Sequence, residues 1–466
     1  MANLARARAN GRTKGVGEIL LEAEHLAKYY GTDAKNEQQR VLVLDDISIQ
    51  VKSGEFVAIL GPSGSGKSTL LRILGGLIRA SGGSVRYRGE EVTSPNTNLA
   101  LIFQTFALFP WLTVLENVEL GLEAQTNLTR TQKTKRALAA IDTIGLDGFE
   151  DAYPKELSGG MRQRVGFARA LVVQPELLFM DEPFSALDVL TAENLRNELM
   201  RLWREGRIPT KAILLITHSI EEAVFMADRI VVMGHDPGRI RAVLNGIPLA
   251  ERGTKTPAAE ALIDLVYTII TQPDEDAADL IAGRVQSGVF GEATPERAKT
   301  AAKGYQTLPH VKIGVINGLA ERVLRAGGRE DLSVLGRELQ LEIDDLLPIV
   351  EAIEMLGFGE ATEGDLVLSD EGKRLAAGDD QADKTLFRQQ ALTHIALIRQ
   401  ITEDLANAED HEIDSDEIVE QLEEHFSPDE AERQFGTAID WARYAELFAY
   451  DDESGLLYLE DLVAGE

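Results

Sequence analysis

The chain has 466 residues, of which 44% are hydrophobic and 27% charged, a composition typical of a globular protein with two or three domains. It contains no cysteine, which excludes disulfide bonds, zinc–thiolate sites and cysteine nucleophiles. Its net charge of −30 is uneven, because the first 250 residues carry 29 basic and 29 acidic side chains and the remaining 216 carry 18 and 48. This asymmetry predicts at least two domains and makes nucleic acid or anionic lipid a poor partner for the acidic half.

The N-terminal half is predicted to be an α/β domain over residues 18–250, because short apolar runs alternate with amphipathic stretches. Residues 56–61, 176–183 and 211–219 are apolar runs that end in glycine or polar residues, as the central strands of a parallel sheet do. Residues 1–17 are basic and have no apolar stretch behind them, which indicates a disordered tail rather than a secretory signal. No apolar run reaches the roughly 18 residues that a membrane span needs, so a cytoplasmic location is expected.

The C-terminal half is predicted to be mostly helical. Residues 251–305 combine a helical pattern, an acidic turn and a Gly/Pro/Ala-rich stretch, which indicates a connector. The domain over 306–466 then begins with helical patterns at 311–326, 331–339 and 343–356, followed by GFGEATEGDLVLSDEG. Helix, short helix, helix and β-hairpin is the order of a winged-helix unit.

A weak internal repeat suggests that this unit occurs twice. At an offset of 90 residues, LGFGEATEGDLVLS resembles LFAYDDESGLLYLE. The matched pairs are Phe358 with Phe448, Glu363 with Glu453, and Leu366 with Leu456. Two winged-helix-like units are one interpretation. Chance similarity between two ordinary hairpins is the other, and the residues alone do not choose between them.

A glycine-rich loop lies between a predicted strand and a predicted helix and satisfies the pattern G-x-x-x-x-G-K-[ST]. Its members are Gly61, Pro62, Ser63, Gly64, Ser65, Gly66, Lys67, Ser68 and Thr69. The glycines let backbone N–H groups approach phosphate oxygens at a helix N-terminus. Lys67 is expected to reach the β- and γ-phosphates, and the Ser68 hydroxyl to bind Mg²⁺. An ordinary Gly/Ser turn is the alternative, which the strand–loop–helix context disfavours.

Two further motifs fit a nucleotide site. Asp181 and Glu182 end an apolar strand, which places one carboxylate near Mg²⁺ and the other beside the γ-phosphate, where it can polarise an attacking water. Ser158, Gly159 and Gly160 precede an amphipathic helix and form a second anion site. Taken alone, the acidic pair is a solvated strand end and Ser158 an ordinary helix N-cap.

Together, GPSGSGKST, LIFQ, LSGGMRQ, LLFMDEPFSALD and ITHS resemble, in order and spacing, the ATP-binding subunits of ABC transporters. The resemblance covers residues 18 to about 245. It implies a P-loop NTPase fold with a helical subdomain, and ATP and Mg²⁺ as cofactors. It departs from the common pattern at Met161, where many relatives have glutamine, and in the polar segment after Tyr30.

The resemblance also implies roles for single residues. Lys67, Glu182 and His218 would be catalytic, with Glu182 as the base and His218 on the γ-phosphate. Gln104 would bind Mg²⁺ beside Ser68 and Asp181. Tyr30 would stack on the adenine, with Tyr29 as the less favoured choice. Ser158, Gly159 and Gly160 would contact the ATP held by a second subunit, and Asp188 would complete the nucleotide-binding residues at the dimer seam.

The segment after Gln104 points to transport. Residues 106–112 include Phe106, Phe109, Trp111 and Leu112, and such a run is too apolar for a loop that is free in solvent. These side chains are therefore expected either to pack against the helical subdomain or to form a surface that binds a partner. In importers of this family the region receives a helix of the membrane permease. DEPFSALDVLTAENLRNEL further resembles the branch that imports nitrate, sulfonates, taurine or bicarbonate, with a solute-binding protein as indirect partner. Such a subunit would lie on the cytoplasmic face of the membrane, as a homodimer or paired with a paralogue.

The acidic tail resembles an AAA-associated C-terminal domain and is expected to provide a regulatory or dimer-stabilising interface. The rival hypothesis is a soluble ABC ATPase whose winged helix binds DNA or protein. The presumed recognition helix carries Glu342, Asp344, Asp345, Glu351 and Glu354 and no basic residue. Phosphate repulsion would oppose its entry into a DNA groove, which favours the transport hypothesis.

Overall fold

The computed structural model forms two compact units, Met1–Pro295 and Glu296–Glu466. It describes residues 17–30, 41–235, 237–248, 252, 256–272, 277–284, 291–293, 306–339, 341, 343–362, 364–378, 380–408, 411–423, 426, 428–451 and 454–459. Apart from Gly17, the tail predicted at residues 1–17 lies outside this part. Among the helices in these ranges, none combines the length and apolar character required to cross a membrane.

The first unit contains a seven-stranded and a four-stranded sheet. Their strands are β1 (Ile19–Tyr30), β2 (Val41–Lys52), β3 (Phe56–Leu60), β4 (Gly82–Tyr87), β5 (Glu90–Glu91), β6 (Leu99–Ile102), β7 (Leu177–Asp181), β8 (Ala212–Thr217), β9 (Arg229–Gly234), β10 (Arg239–Asn245) and β11 (Gly291–Ala293). The larger sheet has the order β11-β10-β9-β3-β8-β7-β6, and the smaller has the order β2-β1-β4-β5. The five strands from β9 to β6 are parallel, whereas β10 and β11 add antiparallel neighbours at one edge.

The three predicted central strands are confirmed as β3, β7 and β8. Every residue of these strands is buried, because both faces of the sheet are covered. Their uninterrupted apolar sequences follow from that burial. The antiparallel sheet packs into the same core, where Leu21, Ile47 and Val51 are fully buried.

Eight helices are described in the first unit. They are α1 (Lys67–Leu74), α2 (Val114–Glu119), α3 (Arg130–Thr143), α4 (Gly159–Leu171), α5 (Val189–Arg204), α6 (Ile220–Met226), α7 (Pro257–Thr271) and α8 (Ala277–Arg284). Helices α2, α3 and α4 pack against one another and form the predicted helical subdomain. Thr113 and Thr129 begin α2 and α3 with capping boxes, in which each side chain and the residue three positions later satisfy each other's backbone N–H.

The first unit extends beyond the boundary near residue 250 that the sequence predicts. Helix α7 buries Leu262, Leu265 and Ile269 almost completely, and it packs against α6 and β9. The buried guanidinium of Arg241 on β10 donates to the carbonyl oxygens of Ile269 and Gln272 at the end of α7. Because β11 also joins the main sheet, the described part of the expected connector belongs to the first unit.

The described residues of the second unit form eight helices and six short strands. They are α9 (Ile313–Arg325), β12 (Arg329–Asp331), α10 (Leu332–Leu339), α11 (Ile343–Met355), β13 (Gly359–Thr362), β14 (Asp365–Leu368), α12 (Asp370–Ala377), α13 (Asp380–His394), α14 (Ala396–Asn407), β15 (Glu412–Asp414), α15 (Ser415–Glu423), α16 (Pro428–Tyr444), β16 (Phe448–Asp451) and β17 (Leu456–Leu459). The three helical patterns predicted near its start correspond to α9, α10 and α11.

The predicted repeat is present in the second unit. The order helix, strand, helix, helix, hairpin runs from α9 to β14 and again from α14 to β17. The two sheets also have equivalent strand orders, β12-β14-β13 and β15-β17-β16. This topology favours two related units over chance similarity of two hairpins. Their order of elements is the one expected of a winged helix, and that identification itself stays a prediction.

The register of the two hairpins corrects the ungapped offset of 90 residues. Thr362 pairs with Asp365 across the first turn, whereas Asp451 pairs with Leu456 across the second, so the second turn is two residues longer. The structural equivalent of the buried Leu366 is therefore Leu457, which is also fully buried, rather than Leu456. Glu363 and Glu453 lie outside the described residues.

An aromatic cluster connects the two repeats. Phe387 on α13 is fully buried, and its ring centroid lies 6.0 Å from that of Phe358 in the first repeat. It also lies 6.2 Å from the ring of Trp441 and 5.3 Å from that of Tyr444, both on α16 of the second repeat. The edge-to-face geometry of these last two pairs is the favoured arrangement of aromatic rings. The second unit therefore has one shared core.

Candidate nucleotide site

The sheet topology brings the predicted motifs to one edge of the sheet. The glycine-rich loop follows β3, Gln104 follows β6, Glu182 follows β7 and His218 follows β8. These four strands are parallel members of one sheet, so their carboxyl ends face the same side. Ligands of open parallel sheets bind at that edge.

The glycine-rich loop is shaped for close approach of a ligand to the backbone. Gly64 and Gly66 have φ angles of +78° and +83°, a region that favours glycine. A Cβ atom on Gly66 would also lie only 2.6 Å from Leu44 Cδ2. Lys67 begins α1 and donates to the carbonyl oxygens of Gly61 and Pro62, at 2.7 and 2.9 Å. Its ammonium group is thus held against the loop that would surround a phosphate.

Ser68 and Asp181 form a pair of oxygen groups suited to a hard cation. The Ser68 hydroxyl donates to Asp181 Oδ1 at 3.0 Å. Burial raises the pKa of Asp181, although the hydrogen bond from Ser68 acts in the opposite direction. A hydroxyl and a carboxylate fit Mg²⁺, which binds proteins through oxygen ligands. The positive charge of a bound Mg²⁺ would stabilise the ionised form of the buried carboxyl group.

Glu182 lies at the centre of the predicted catalytic group. Its Oε2 accepts a hydrogen bond from Gln104 Nε2 at 3.1 Å and lies 3.0 Å from His218 Nδ1. Burial acts to raise the pKa of Glu182, but the hydrogen bond and charge of His218 and the charge of Lys67 hold that pKa below its usual value. Glu182 has a φ of +44°, a rare and strained conformation for a non-glycine residue.

The remaining predicted nucleotide contacts lie at the N-termini of helices α4 and α5. Ser158 caps α4 by accepting from Met161 N at 3.3 Å, and Asp188 caps α5 by accepting from Thr191 N at 3.1 Å. The two turns are close together, because a Cβ atom on Gly160 would lie 2.4 Å from Thr191 Cγ2. Ser158 therefore acts as the N-cap considered above. This role leaves the N-terminal amides of Gly159 and Gly160 directed beyond the helix.

The adenine contact stays a prediction. Tyr29 and Tyr30 end β1, and 43% of each residue is exposed. Lys28 Nζ lies 4.9 Å from the centroid of the Tyr30 ring, an arrangement favourable for a cation–π contact. The polar segment that follows, residues 31–40, lies outside the described residues.

The apolar loop after Gln104 is partly exposed, and its backbone is hydrogen-bonded to a buried side chain of α2. Trp111 is 68% exposed, and its ring packs 5.3 Å from that of Phe109. Asn117, fully buried on α2, accepts from Phe109 N and donates to the carbonyl oxygens of Phe109 and Leu112. Sequence reasoning missed Asn117, although its place as a polar residue in the apolar pattern TVLENVEL could have indicated it.

Arg169 is a second residue that sequence reasoning missed. It lies on α4 and donates to the carbonyl oxygens of Phe106 and Ala107, at 3.2 and 2.6 Å. Burial lowers the pKa of its guanidinium group. Arg162, also on α4, lies over the Phe106 ring with its guanidinium carbon 5.1 Å from the centroid. Helix α4 therefore connects the apolar loop with the turn at Ser158.

Comparison with known proteins agrees with these features. Residues 44–185 match the family model "ABC transporter", and residues 333–451 match the "C-terminal AAA-associated domain". The chain is 44% identical to a nitrate import ATP-binding protein of Synechocystis over 44% of its own length and 75% of that protein. It is 41% identical to an aliphatic sulfonates import ATP-binding protein of Bacillus cereus, over 49% and 88% of the two chains.

A bicarbonate transport ATP-binding protein of Synechocystis is 42% identical over 47% of this chain and 75% of that protein. The chain belongs to the ABC transporter ATP-binding proteins. It is an ABC ATPase, which binds and hydrolyses ATP. The predicted P-loop NTPase fold with a helical C-terminal region is confirmed, and so is the predicted AAA-associated domain of this ABC ATPase.

Proposed function

We propose that this ABC ATPase energises import of a small anion of the nitrate, sulfonate, taurine or bicarbonate class. It would lie on the cytoplasmic face of the membrane, with permease subunits as direct partners and a solute-binding protein as an indirect one. The names of the relatives support the anion class. The observation that carries the hydrolytic role is the convergence of Gln104 and His218 on the Glu182 carboxylate.

In the proposed site the glycine-rich loop binds the phosphates of ATP. The backbone N–H groups of this loop, which Pro62 lacks, and the N-terminus of α1 would supply partial positive charge, and Lys67 would supply a full one. Ser68, Asp181 and Gln104 would together hold Mg²⁺. The bound ion would neutralise the negative charge that develops on the phosphate oxygens. Tyr30 would stack on the adenine.

Hydrolysis would depend on Glu182 and His218. Glu182 has a lowered pKa, so it is ionised at neutral pH and can accept a proton from, or orient, the attacking water. His218 would donate a hydrogen bond to the γ-phosphate and fix the position of Glu182 through their 3.0 Å contact. Gln104 donates to the same Glu182 oxygen that His218 contacts and would sense whether the γ-phosphate is present.

A complete site would require two copies, either identical or paralogous. Ser158, Gly159 and Gly160 begin a helix of the helical subdomain, whereas the glycine-rich loop follows a strand of the main sheet. Pairing two copies would place the amides of one helix N-terminus, with Asp188 nearby, on the ATP of the partner. ATP favours the closed pair only to the extent that it binds that state more tightly.

The test of the hydrolytic proposal is Glu182→Gln. This variant should bind ATP, form an ATP-dependent dimer in gel filtration, and lose at least about 100-fold in kcat, because the base is removed while the shape is kept. Glu193→Gln, an exposed position on α5, is the matched control and should behave as the wild type. Unchanged turnover in the Glu182→Gln variant would exclude this residue as the base.

The permease contact would use the loop at residues 106–112. Its exposed Phe109 and Trp111 form an apolar surface, and the loop is joined to α4 through Arg169. Movement of a docked permease helix would thereby reach the turn at Ser158. Trp111→Ala should reduce copurification with membrane subunits and leave ATP-dependent dimerisation intact. Undiminished copurification would exclude this surface.

Binding of DNA by the C-terminal unit is the less favoured alternative. Helix α11 carries Asp344, Asp345, Glu351 and Glu354 and no basic side chain, and Glu342 lies outside the described residues. An acidic helix in a DNA groove would be opposed by the phosphates. A gel-shift assay at low salt should show no complex, whereas tight binding would reverse this ranking and favour a regulatory ATPase.

A further inference from the structure

A cluster of buried polar residues flanks His218 along the chain. Thr217, Ser219 and Glu222 are each at most 8% exposed, although all three are polar and lie within five positions along the chain. Burial of a carboxylate is costly unless it is paired and hydrogen-bonded, so such a group calls for a structural reason.

The hydrogen bonds of this cluster join residues on either side of His218. Thr217 Oγ1 accepts from Ser219 N at 3.0 Å, which closes a tight turn across His218. The same hydroxyl donates to Glu222 Oε2 at 2.6 Å. Ser219 Oγ accepts from Glu222 N at 3.4 Å and caps α6. The backbone on both sides of His218 is therefore fixed by one hydroxyl, which Glu222 in turn orients.

The second oxygen of Glu222 connects this turn to another helix. Arg196 on α5 pairs with Glu222 Oε1 at 3.3 Å, and both side chains are largely shielded from solvent. Helix α5 begins at the Asp188 cap, and its Thr191 packs against Gly160. One rigid helix thus spans the turn expected to face the partner's nucleotide and the arginine that holds Glu222.

We propose that Arg196, Glu222 and Thr217 form a positioning chain that aligns His218 with Glu182 and connects both to the first turn of α5. This inference rests on the hydrolytic function proposed above, because it assigns these residues an effect through His218. None of the three would touch ATP. A change at the N-terminus of α5 would reach the imidazole through one ion pair and one hydroxyl.

The physical basis is preorganisation. A catalytic hydrogen bond loses much of its effect when a group is misplaced by about 1 Å, and such losses reach roughly 10- to 100-fold in rate. The bond between His218 and Glu182 is 3.0 Å long, and the threonine–glutamate bond behind it is buried and therefore little weakened by water. Substitutions in the positioning chain should therefore lower kcat rather than ATP affinity.

The first experiment compares Thr217→Val with Thr217→Ser in the full-length protein. Valine keeps the shape but removes the hydroxyl, so kcat should fall about tenfold while KM and the Kd for ATP stay within about twofold. Serine keeps the hydroxyl and should restore most of the rate. Thr210→Val is the matched control, because Thr210 is also buried and its Oγ1 lacks a hydrogen-bond partner among the described residues. It should leave kcat unchanged.

The second experiment is a double-mutant cycle with His218→Ala. If Thr217 acts through the imidazole, Thr217→Val should lower kcat about tenfold in the wild type and less than about twofold in the His218→Ala background. Equal losses in both backgrounds would overturn the proposal. Wild-type turnover by His218→Ala alone would instead contradict the catalytic role of His218, so the two failures are distinguishable.

The connection to α5 is tested with Arg196→Met and Arg196→Lys. Methionine removes the charge that pairs with Glu222 and should lower kcat to the same extent as Thr217→Val, and the two changes should not be additive. Lysine keeps the charge and should retain most of the activity. A normal kcat in Arg196→Met, with ATP affinity and thermal unfolding midpoint as in the wild type, would remove Arg196 from the chain.

Discussion

The two units differ in what they bury. Among the described residues, the buried charged side chains, which include Lys67, Asp181, Glu222 and Arg241, lie in the first unit. The buried polar side chains of the second unit are the uncharged Ser415, Gln434 and Thr437. Net charge therefore does not mark the chemistry, because the described charged side chains of the strongly acidic second unit are not buried, whereas the first unit, which is much nearer to neutral, buries a few.

Burial of charge is costly, so a protein keeps it where pairing or function compensates. In the first unit the buried charges gather mainly at the carboxyl ends of parallel strands. In the second unit the largest buried side chains are aromatic and connect the two repeats. Substitutions of the buried charges should therefore affect ATP chemistry in the first unit, whereas substitutions of the buried aromatic side chains should affect stability in the second.

The largest expected effect is that of Phe387→Ala. Removing a fully buried ring that contacts Phe358, Trp441 and Tyr444 should destabilise the second unit by about 3–5 kcal/mol. Chemical denaturation followed by tryptophan fluorescence would measure it, while the Kd for ATP should not change. Gln389→Ala, exposed on the same helix, should stay within about 0.5 kcal/mol of the wild type. Loss of ATP binding would show that the units are not separable.

Lys67→Ala should have the next largest effect, and on the first unit only. Loss of the ammonium group from the phosphate loop should weaken ATP binding about 100-fold, equivalent to about 2.7 kcal/mol. Titration with a fluorescent ATP analogue measures this change. The denaturation of the second unit should be unaltered, and an unchanged Kd would contradict the assignment of this loop.

Glu176→Gln should have a smaller effect, on stability alone. Glu176 is partly buried just before β7, and hydrogen bonds from Arg88, Lys211 and Tyr87 outweigh burial and lower its pKa to about 2. Its contribution is therefore present above the ordinary carboxyl pKa and lost as pH falls from about 4.5 towards 2. At pH 7 the variant should be less stable by roughly 1–2 kcal/mol.

The measurement for Glu176→Gln is urea denaturation between pH 3 and pH 7. The difference from the wild type should shrink as the pH falls below about 4.5, because the Glu176 carboxyl of the unfolded wild-type chain then binds a proton that the folded protein does not yet bind, which favours unfolding. The same cluster raises the pKa of Tyr87 to about 12, chiefly through burial and the hydrogen bond to Glu176. A difference that is constant with pH would contradict the role of the charge.

The smallest expected effect follows removal of residues 296–466. The first unit has its own core and ends in β11, so the shortened chain should fold and hydrolyse ATP. If the acidic unit is regulatory, its removal should change kcat by about two- to threefold and leave ATP affinity intact. Cutting instead at residue 250 would remove the buried helix α7 and should yield aggregated protein.

The candidate site was largely predictable because its residues occur in short motifs whose spacing follows from strand–loop–helix geometry. Glu182, His218 and Gln104 are 36 to 114 positions apart along the chain, yet each follows a strand of the same parallel sheet. Arg196 and Glu222 were not predictable, because a charged residue on an amphipathic helix has the same pattern whether its side chain meets solvent or a buried partner.

The sequence by itself determined the local features: apolar strands, the glycine-rich loop, the helix caps, and the helical patterns of the second unit. These depend on neighbouring residues and on backbone preferences, which are written within about ten positions. Only the tertiary structure decided that residues 257–293 belong to the first unit, that the second hairpin has the longer turn, and that Arg196 pairs with Glu222. Those outcomes depend on which surfaces meet after the chain has folded, and contacts between distant positions leave no periodic pattern.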